Sequence, residues 1–129
     1  MLNRSRSARS ALTAVASRRD ILLLQEMTEH IHVSQPVEDY ILDLVTATRT
    51  SSDTLLGSSP RGSIALYNAG RALALLRGRR YVIPEDIKTL APAVLAHRLI
   101  LTQNARLEDK TRETVLQQLL AVVPVPSAR

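Results

Sequence analysis

The chain has 129 residues, which fits a single domain with a modest core. Its apolar content is an ordinary 45%, but Trp and Phe are absent, so Leu, Ile, Val and Ala must fill the core, and that composition favours helices. The absence of Cys excludes disulfides, zinc–thiolate sites and Cys nucleophiles, and it favours a reducing cytoplasm. Apolar runs are short, so no membrane span is expected.

The net charge of +5 comes from the N-terminal end of the chain. Residues 1–19 contain five of the 17 basic residues and no acid, which leaves 12 basic and 12 acidic residues from Asp20 onward. Nucleic-acid binding depends on phosphate neutralisation, so a neutral body makes nucleic acid an unfavoured partner.

Residues 1–16 are rich in Arg, Ser and Ala and lack apolar periodicity. This composition indicates a disordered tail or an expression artefact, although a fraying helix start and an organelle transit peptide are alternatives. Residues 17–126 carry the helical patterns and are expected to form one domain.

Two helices are expected in the first half of this domain. Ser17 and Asp20 match a capping box that opens a helix over 18–31. A second helix is predicted from about Ser34 to Arg49. Its apolar stripe consists of Val37, Ile41, Leu44 and Val45.

A polar loop over 50–59 leads to the third predicted helix. Ser59 is placed as its N-cap and Pro60 in its first turn, and Gly78 follows its end near Arg77. The helix is apolar almost all round, which is typical of the middle of a bundle. Its predicted core face consists of Ala65, Ala69, Ala72 and Leu76.

After a short extended run at 81–83, the fourth helix begins at Pro84, and Pro92 predicts a kink or a break in it. Its core face consists of Ile87, Leu90, Ala91 and Val94. Residues 99–107 suggest a small β-hairpin, and a last helix is predicted over 111–122. The expected fold class is therefore all-α, a small bundle of four to five helices.

A search for catalytic chemistry finds none of the required patterns. No Gly precedes a Lys-Ser or Lys-Thr pair, and no apolar strand ends in paired acids, so a phosphate-binding loop and a magnesium-binding strand are both missing from this sequence. His30 and His32 are spaced so that they cannot chelate together well on a helix, and no metal site is expected.

One motif is unusual. Residues 57–63 read GSSPRGS, and they place Arg61 in the first turn of the most apolar helix, where the helix dipole disfavours a cation. Arg61 is therefore either a solvated side chain or a group that projects towards an anion.

Over 31–126 the sequence resembles the C-terminal lid of MoxR-type AAA+ ATPases. The resemblance rests on HVSQPVEDYILDLVTATR at 32–49, on the long stretch from Leu55 to Leu99, on the spacer ILTQNARLEDKT and on the closing VPVP. It implies that Arg61 is the sensor-2 arginine, which contacts the phosphates of ATP, and that Ser59 and Pro60 position the start of its helix. It further implies ATP as the cofactor, with Mg²⁺ held by the core domain.

The same resemblance implies the partners. They are the AAA+ core, neighbouring subunits of a ring that is commonly a hexamer, and client protein complexes that the ATPase helps to mature. The chain would then be no enzyme on its own, but part of an ATP-hydrolysing assembly in the cytoplasm. Two alternatives stay open: a histone-fold-like nucleic-acid module, which GRRYVIPEDI resembles, and a helical protein-interaction domain without a nucleotide role.

Overall fold

A computed structural model describes residues 12–127 of the chain. Within them it has six α-helices and one antiparallel sheet of two strands. In chain order the elements are α1 (Arg18–Glu29), α2 (Gln35–Thr50), β1 (Thr54–Leu56), α3 (Pro60–Leu76), α4 (Pro84–Leu95), a 3₁₀ turn (Ala96–Arg98), β2 (Ile100–Leu101), α5 (Gln103–Leu107) and α6 (Arg112–Val122). The expected all-α class is confirmed, with one helix more than the sequence predicts.

Residues 1–11 of the predicted disordered tail lie outside the described part of the chain, and 12–16 precede α1 without helical structure. Among the described helices, none combines the length and the apolar character that crossing a membrane would need.

The helix ends follow the local signals of the sequence. Ser17 Oγ accepts a hydrogen bond from the Asp20 N–H at 3.2 Å, and an Asp20 carboxylate oxygen accepts one from the Ser17 N–H at 2.7 Å. The Ser17 N–H and the Ser17 hydroxyl both donate to the Asp20 carboxylate, and these two bonds, the backbone one first, lower the pKa of Asp20 below its ordinary value. Gly78 ends α3 with a φ of 72°, a conformation that glycine adopts without steric cost.

The core lies between α2, α3, α4 and α6. The predicted stripe of α2 is buried, and Leu44 and Val45 have no exposed surface. In α4, Ile87 and Ala91 are buried, while Leu90 and Val94 are partly buried against the same cluster. These predicted faces of α2 and α4 are confirmed.

The predicted core face of α3 is wrong. Leu76 is 75% exposed, and Ala65, Ala69 and Ala72 are half-buried. The buried residues are Gly62, Leu66, Gly70 and Ala74. Both faces have helical spacing, but the face with two glycines lets α3 approach its neighbours closely, and hydrophobicity alone does not count glycine as a core residue. The central position of α3 is confirmed, because it packs against α1, α2 and α4.

The predicted hairpin within 99–107 is also wrong. Residues Ile100–Leu101 pair with Thr54–Leu56, in a segment expected to be a loop. Residues Gln103–Leu107 form α5 instead, because Thr102 Oγ1 caps the helix by accepting the Ala105 N–H at 3.3 Å. The strand signal in 99–107 was real, but its partner lies far away in the sequence.

Two boundaries differ from expectation. Helix α1 ends at Glu29, and the chain then extends so that the His32 N–H donates to the Arg80 carbonyl oxygen at 2.9 Å. Helix α4 continues through Pro92 to Leu95, so of the predicted kink or break, the break is wrong.

We expect Leu44→Ala to lower the free energy of unfolding by about 2–5 kcal/mol, because it opens a cavity at a fully buried site. Chemical denaturation monitored by circular dichroism measures this loss. Leu76→Ala is the control, since Leu76 is 75% exposed and should change stability by less than about 0.5 kcal/mol. Equal losses for both variants would contradict the assignment of the core.

Candidate functional site

Arg61 lies in the first turn of α3, and its side chain is exposed. Among the described residues it takes part in no side-chain hydrogen bond or ion pair, and the first turn of α3 contains no acid. Its positive charge is therefore uncompensated, at the end of a helix whose dipole already adds positive potential. This arrangement suits an anion supplied from outside the chain.

The loop before α3 is held against the end of α2. The Ser58 N–H donates to Thr48 Oγ1 at 2.9 Å, and both residues are fully buried. Thr48 Oγ1 also donates to the Val45 carbonyl oxygen at 2.6 Å. A Cβ on Gly57 would collide with the Thr48 backbone, so only glycine permits this close approach.

Gly62 sits directly beside Arg61 on the buried side of α3. A Cβ at this position would collide with Ser58 Oγ and would lie 3.1 Å from Leu95 Cδ2 of α4. The two glycines of the GSSPRGS motif therefore serve packing. They bring the first turn of α3 into close contact with α2 and α4, so that Arg61 projects from a well-braced helix end.

Ser59 and Pro60 occupy the positions that the sequence predicts, but they differ in what they do. Pro60 is the first residue of α3, where its missing N–H costs nothing. Ser59 is the N-cap residue by backbone conformation, yet its side chain makes no capping hydrogen bond. Its carbonyl oxygen accepts the Gly62 N–H at 2.8 Å. The Ser59 hydroxyl is thus not used by the helix it precedes.

A second anchor holds the opposite end of α3, and the sequence analysis missed it. Asp86 of α4 is fully buried and accepts two hydrogen bonds from Arg79, at 2.6 and 2.8 Å. Arg77, the residue directly after α3, donates to the same carboxylate at 2.9 Å, and the Ile83 N–H donates at 3.1 Å. The available signal was the cluster of arginines at 77–80, a few residues before this acid.

Opposing effects act on the Asp86 carboxyl. Burial by itself raises the pKa of Asp86, but the hydrogen bonds from Arg79 and Ile83 and the charges of Arg79 and Arg77 together outweigh it. The net pKa of Asp86 is lower than its ordinary value of 3.8, so the carboxylate stays ionised at neutral pH and keeps both arginines bound.

Comparison with known proteins assigns this arrangement to a family. The family model described as the AAA lid domain matches residues 46–119, more than half of the chain. The chain therefore belongs to the AAA lid domain family. Its relatives place it more narrowly among the lids of MoxR-like AAA+ ATPases.

Two of these relatives and one solved structure are similar over most of the chain. YeaC of Bacillus subtilis is 39% identical over 118 residues, which cover 92% of this chain and 37% of YeaC. The chaperone MoxR1 of Mycobacterium tuberculosis is 38% identical over 121 residues, covering 87% of this chain and 32% of MoxR1. A crystal structure of a proposed ATPase from Cytophaga hutchinsonii matches with a TM-score of 0.80 and 32% identity, over 84% of this chain and 36% of that one.

The chain thus spans about a third of the length of the relatives it matches. The family-model match includes Ser59, Pro60 and Arg61, so the candidate site lies inside the lid module.

Gly62→Ala should destabilise the chain. The added methyl group collides with Ser58 Oγ, and overpacking of this kind costs about 1–3 kcal/mol, which exceeds the gain of about 1 kcal/mol from better helix propensity. Thermal unfolding measures the effect. The Gly62→Ala change should lower stability less in a Ser58→Ala background, which lacks the hydroxyl, than in the wild-type background. No recovery would mean that Ser58 Oγ is not what excludes a side chain here.

The stability of the chain should fall in acid because of Asp86. Its pKa is depressed on folding, so its contribution is fully present above about pH 4 and is lost as the pH falls through the lower folded value. Asp86→Asn should cost about 3 kcal/mol at pH 7, the low end for a buried pair, because Arg79 can turn towards solvent. Denaturation between pH 7 and pH 2 should show a shallower acid slope for Asp86→Asn. An unchanged slope would contradict this role.

Proposed function

We propose that this chain acts as a nucleotide-sensing lid, in which Arg61 contacts the phosphates of ATP bound by an AAA+ core. The observation that carries the proposal is the exposed, unpaired guanidinium at a helix start that Thr48, Ser58 and Gly62 hold in place. Membership of the AAA lid domain family and similarity to the chaperone MoxR1 support it. In this role the lid moves as nucleotide turns over and couples hydrolysis to work on client complexes.

The donors at this helix start fit a phosphate group better than a metal ion. A guanidinium offers a planar set of N–H donors that matches phosphate oxygens, and the unused Ser59 hydroxyl lies two residues away. Mg²⁺ prefers carboxylate ligands, and the first turn of α3 contains none. We therefore assign Mg²⁺ binding and the cleavage chemistry to the core. We assign the neutralisation of phosphate charge to this chain.

The proposed assembly is a ring, as in AAA+ ATPases generally, with a hexamer as the expected form. The core that carries the ATP then belongs either to the same subunit as the lid or to a neighbouring one. The proposed clients are protein complexes that mature with the help of the ATPase, and the proposed location is the cytoplasm, for which the lack of Cys is the supporting observation.

In the intact ATPase that carries this chain as its lid, Arg61→Ala should reduce ATP turnover by roughly 100-fold, because it removes charge stabilisation in a site that excludes water. Arg61→Lys should restore turnover only in part, since an ammonium lacks the planar fork. Steady-state hydrolysis and nucleotide affinity are the measurements.

The matched control is Arg112→Ala. Arg112 is also an exposed arginine at a helix start, that of α6, and its removal should leave turnover unchanged. Both variants should unfold within about 0.5 kcal/mol of the wild type. The isolated chain should show no turnover above buffer. Wild-type turnover and affinity in both Arg61 variants would defeat the sensor role.

A further inference from the structure

Helix α1 is apolar on all sides over its second turn, Ile21–Leu24. Ile21, Leu22, Leu23 and Leu24 follow one another, and because successive helical residues are turned by about 100°, their side chains point in four different directions. Their exposed fractions are 49%, 52%, 53% and 39%, and Met27 adds 43% one turn later. None of the residues of α1 is buried.

Contact with α3 does not account for this pattern. Helix α1 packs against α3, and a neighbour on one side covers only part of a helix surface. Helices that are apolar all round are normally enclosed, whereas a helix lying on a bundle surface normally carries a polar outer face. The outer face of α1 instead carries Leu22 and Leu23 between Arg19 and Glu26, and each leucine is about half exposed, so a second surface is needed to cover them.

The ends of α1 are polar. Arg18 and Arg19 lie at its start beside Asp20, whose carboxylate accepts hydrogen bonds from Ser17, and Glu26 and Glu29 lie towards its end. The two arginines and the two glutamates are exposed, and no ion pair joins them to other described residues. An apolar centre with a charged rim is the usual composition of a protein–protein interface. The rim also suggests the partner's chemistry, namely acidic groups near the start of α1 and basic groups near its end.

Similarity to the longer relatives indicates where that partner is found. The match with YeaC takes in 118 of the 129 residues, so it must include the whole of α1 wherever it begins. The lid-family match, by contrast, begins only at residue 46. Helix α1 is therefore shared with a protein in which almost two thirds of the chain lies outside the match. It also lies outside residues 46–119, which match the lid family model.

We infer that the outer face of α1 is the surface on which the ATPase core docks. This inference rests on the proposed function, since it takes the chain to be the lid of such a core, and it adds the element that joins the two. The core covers Leu22 and Leu23, and α1 is held between the core and α3.

The chain contains no Cys, so Leu23→Cys provides a single reporter on α1. The rate of thiol alkylation at this position, followed by mass spectrometry of the labelled peptide, should be at least about tenfold slower in the intact ATPase than in the isolated chain. Leu76→Cys is the control: it lies on α3 and is 75% exposed, and it should react at similar rates in both. Equal rates at Leu23→Cys in the two proteins would overturn the inference.

A second copy of the chain is the rival occupant. If a second copy covers this face, labelling of Leu23→Cys in the isolated chain should slow as the concentration of the chain rises. That result would also overturn docking of the core. A double variant, Leu22→Gln/Leu23→Gln, tests the same face without a label, because Gln keeps helix propensity close to that of Leu. It should speed amide exchange of α1 in the intact ATPase at least about tenfold and have little effect in the isolated chain; unchanged exchange in the ATPase would count against docking.

The two proposals fail separately. Protection of Leu23→Cys together with silent Arg61 variants would leave the docking surface and remove the sensor role. Loss of turnover in Arg61→Ala together with unprotected Leu23→Cys would keep the sensor role and remove the docking surface.

Discussion

The position of α3 depends on the buried hydroxyl of Thr48. That oxygen donates to the Val45 carbonyl and accepts from the Ser58 N–H, while the Thr48 carbonyl oxygen accepts from Thr54 Oγ1 at 2.6 Å. One residue at the end of α2 thereby satisfies the backbone of the following loop and connects it to β1. In a fully buried site an unpaired N–H would cost about 1–3 kcal/mol, so this contact determines where α3 can begin.

With Thr48 at one end and Asp86 at the other, α3 is held along its whole length of about 25 Å. The glycine face between them packs close to α4, where a Cβ on Gly70 would lie 2.9 Å from Ile87 Cδ1. A helix fixed in this way transmits a push at its first turn to the rest of the bundle as a rigid body. The proposed response of the lid to phosphate contact at Arg61 requires this mechanical property.

Several features could be predicted from single residues and short motifs. The starts of α1 and α6 follow from Ser17 and Thr111, and the end of α3 follows from Gly78, because capping involves atoms only a few residues apart. The exposed position of Arg61 at a helix start followed in the same way. The clamp at Thr48 could not be predicted, since its partners come from α2, β1 and the loop before α3, and no periodic pattern relates them.

The sequence by itself determined the helical class, most helix boundaries and the position of the candidate arginine at a helix start, because each depends on local propensity or on residue identity. The tertiary structure alone decided which face of α3 is buried, that Ile100–Leu101 pairs with Thr54–Leu56, and that the fully buried Asp86 carboxylate binds two arginines. Such features depend on the close approach of distant segments. Glycine makes that approach possible at Gly62 and Gly70, and a hydrophobic pattern does not identify glycine as a buried residue.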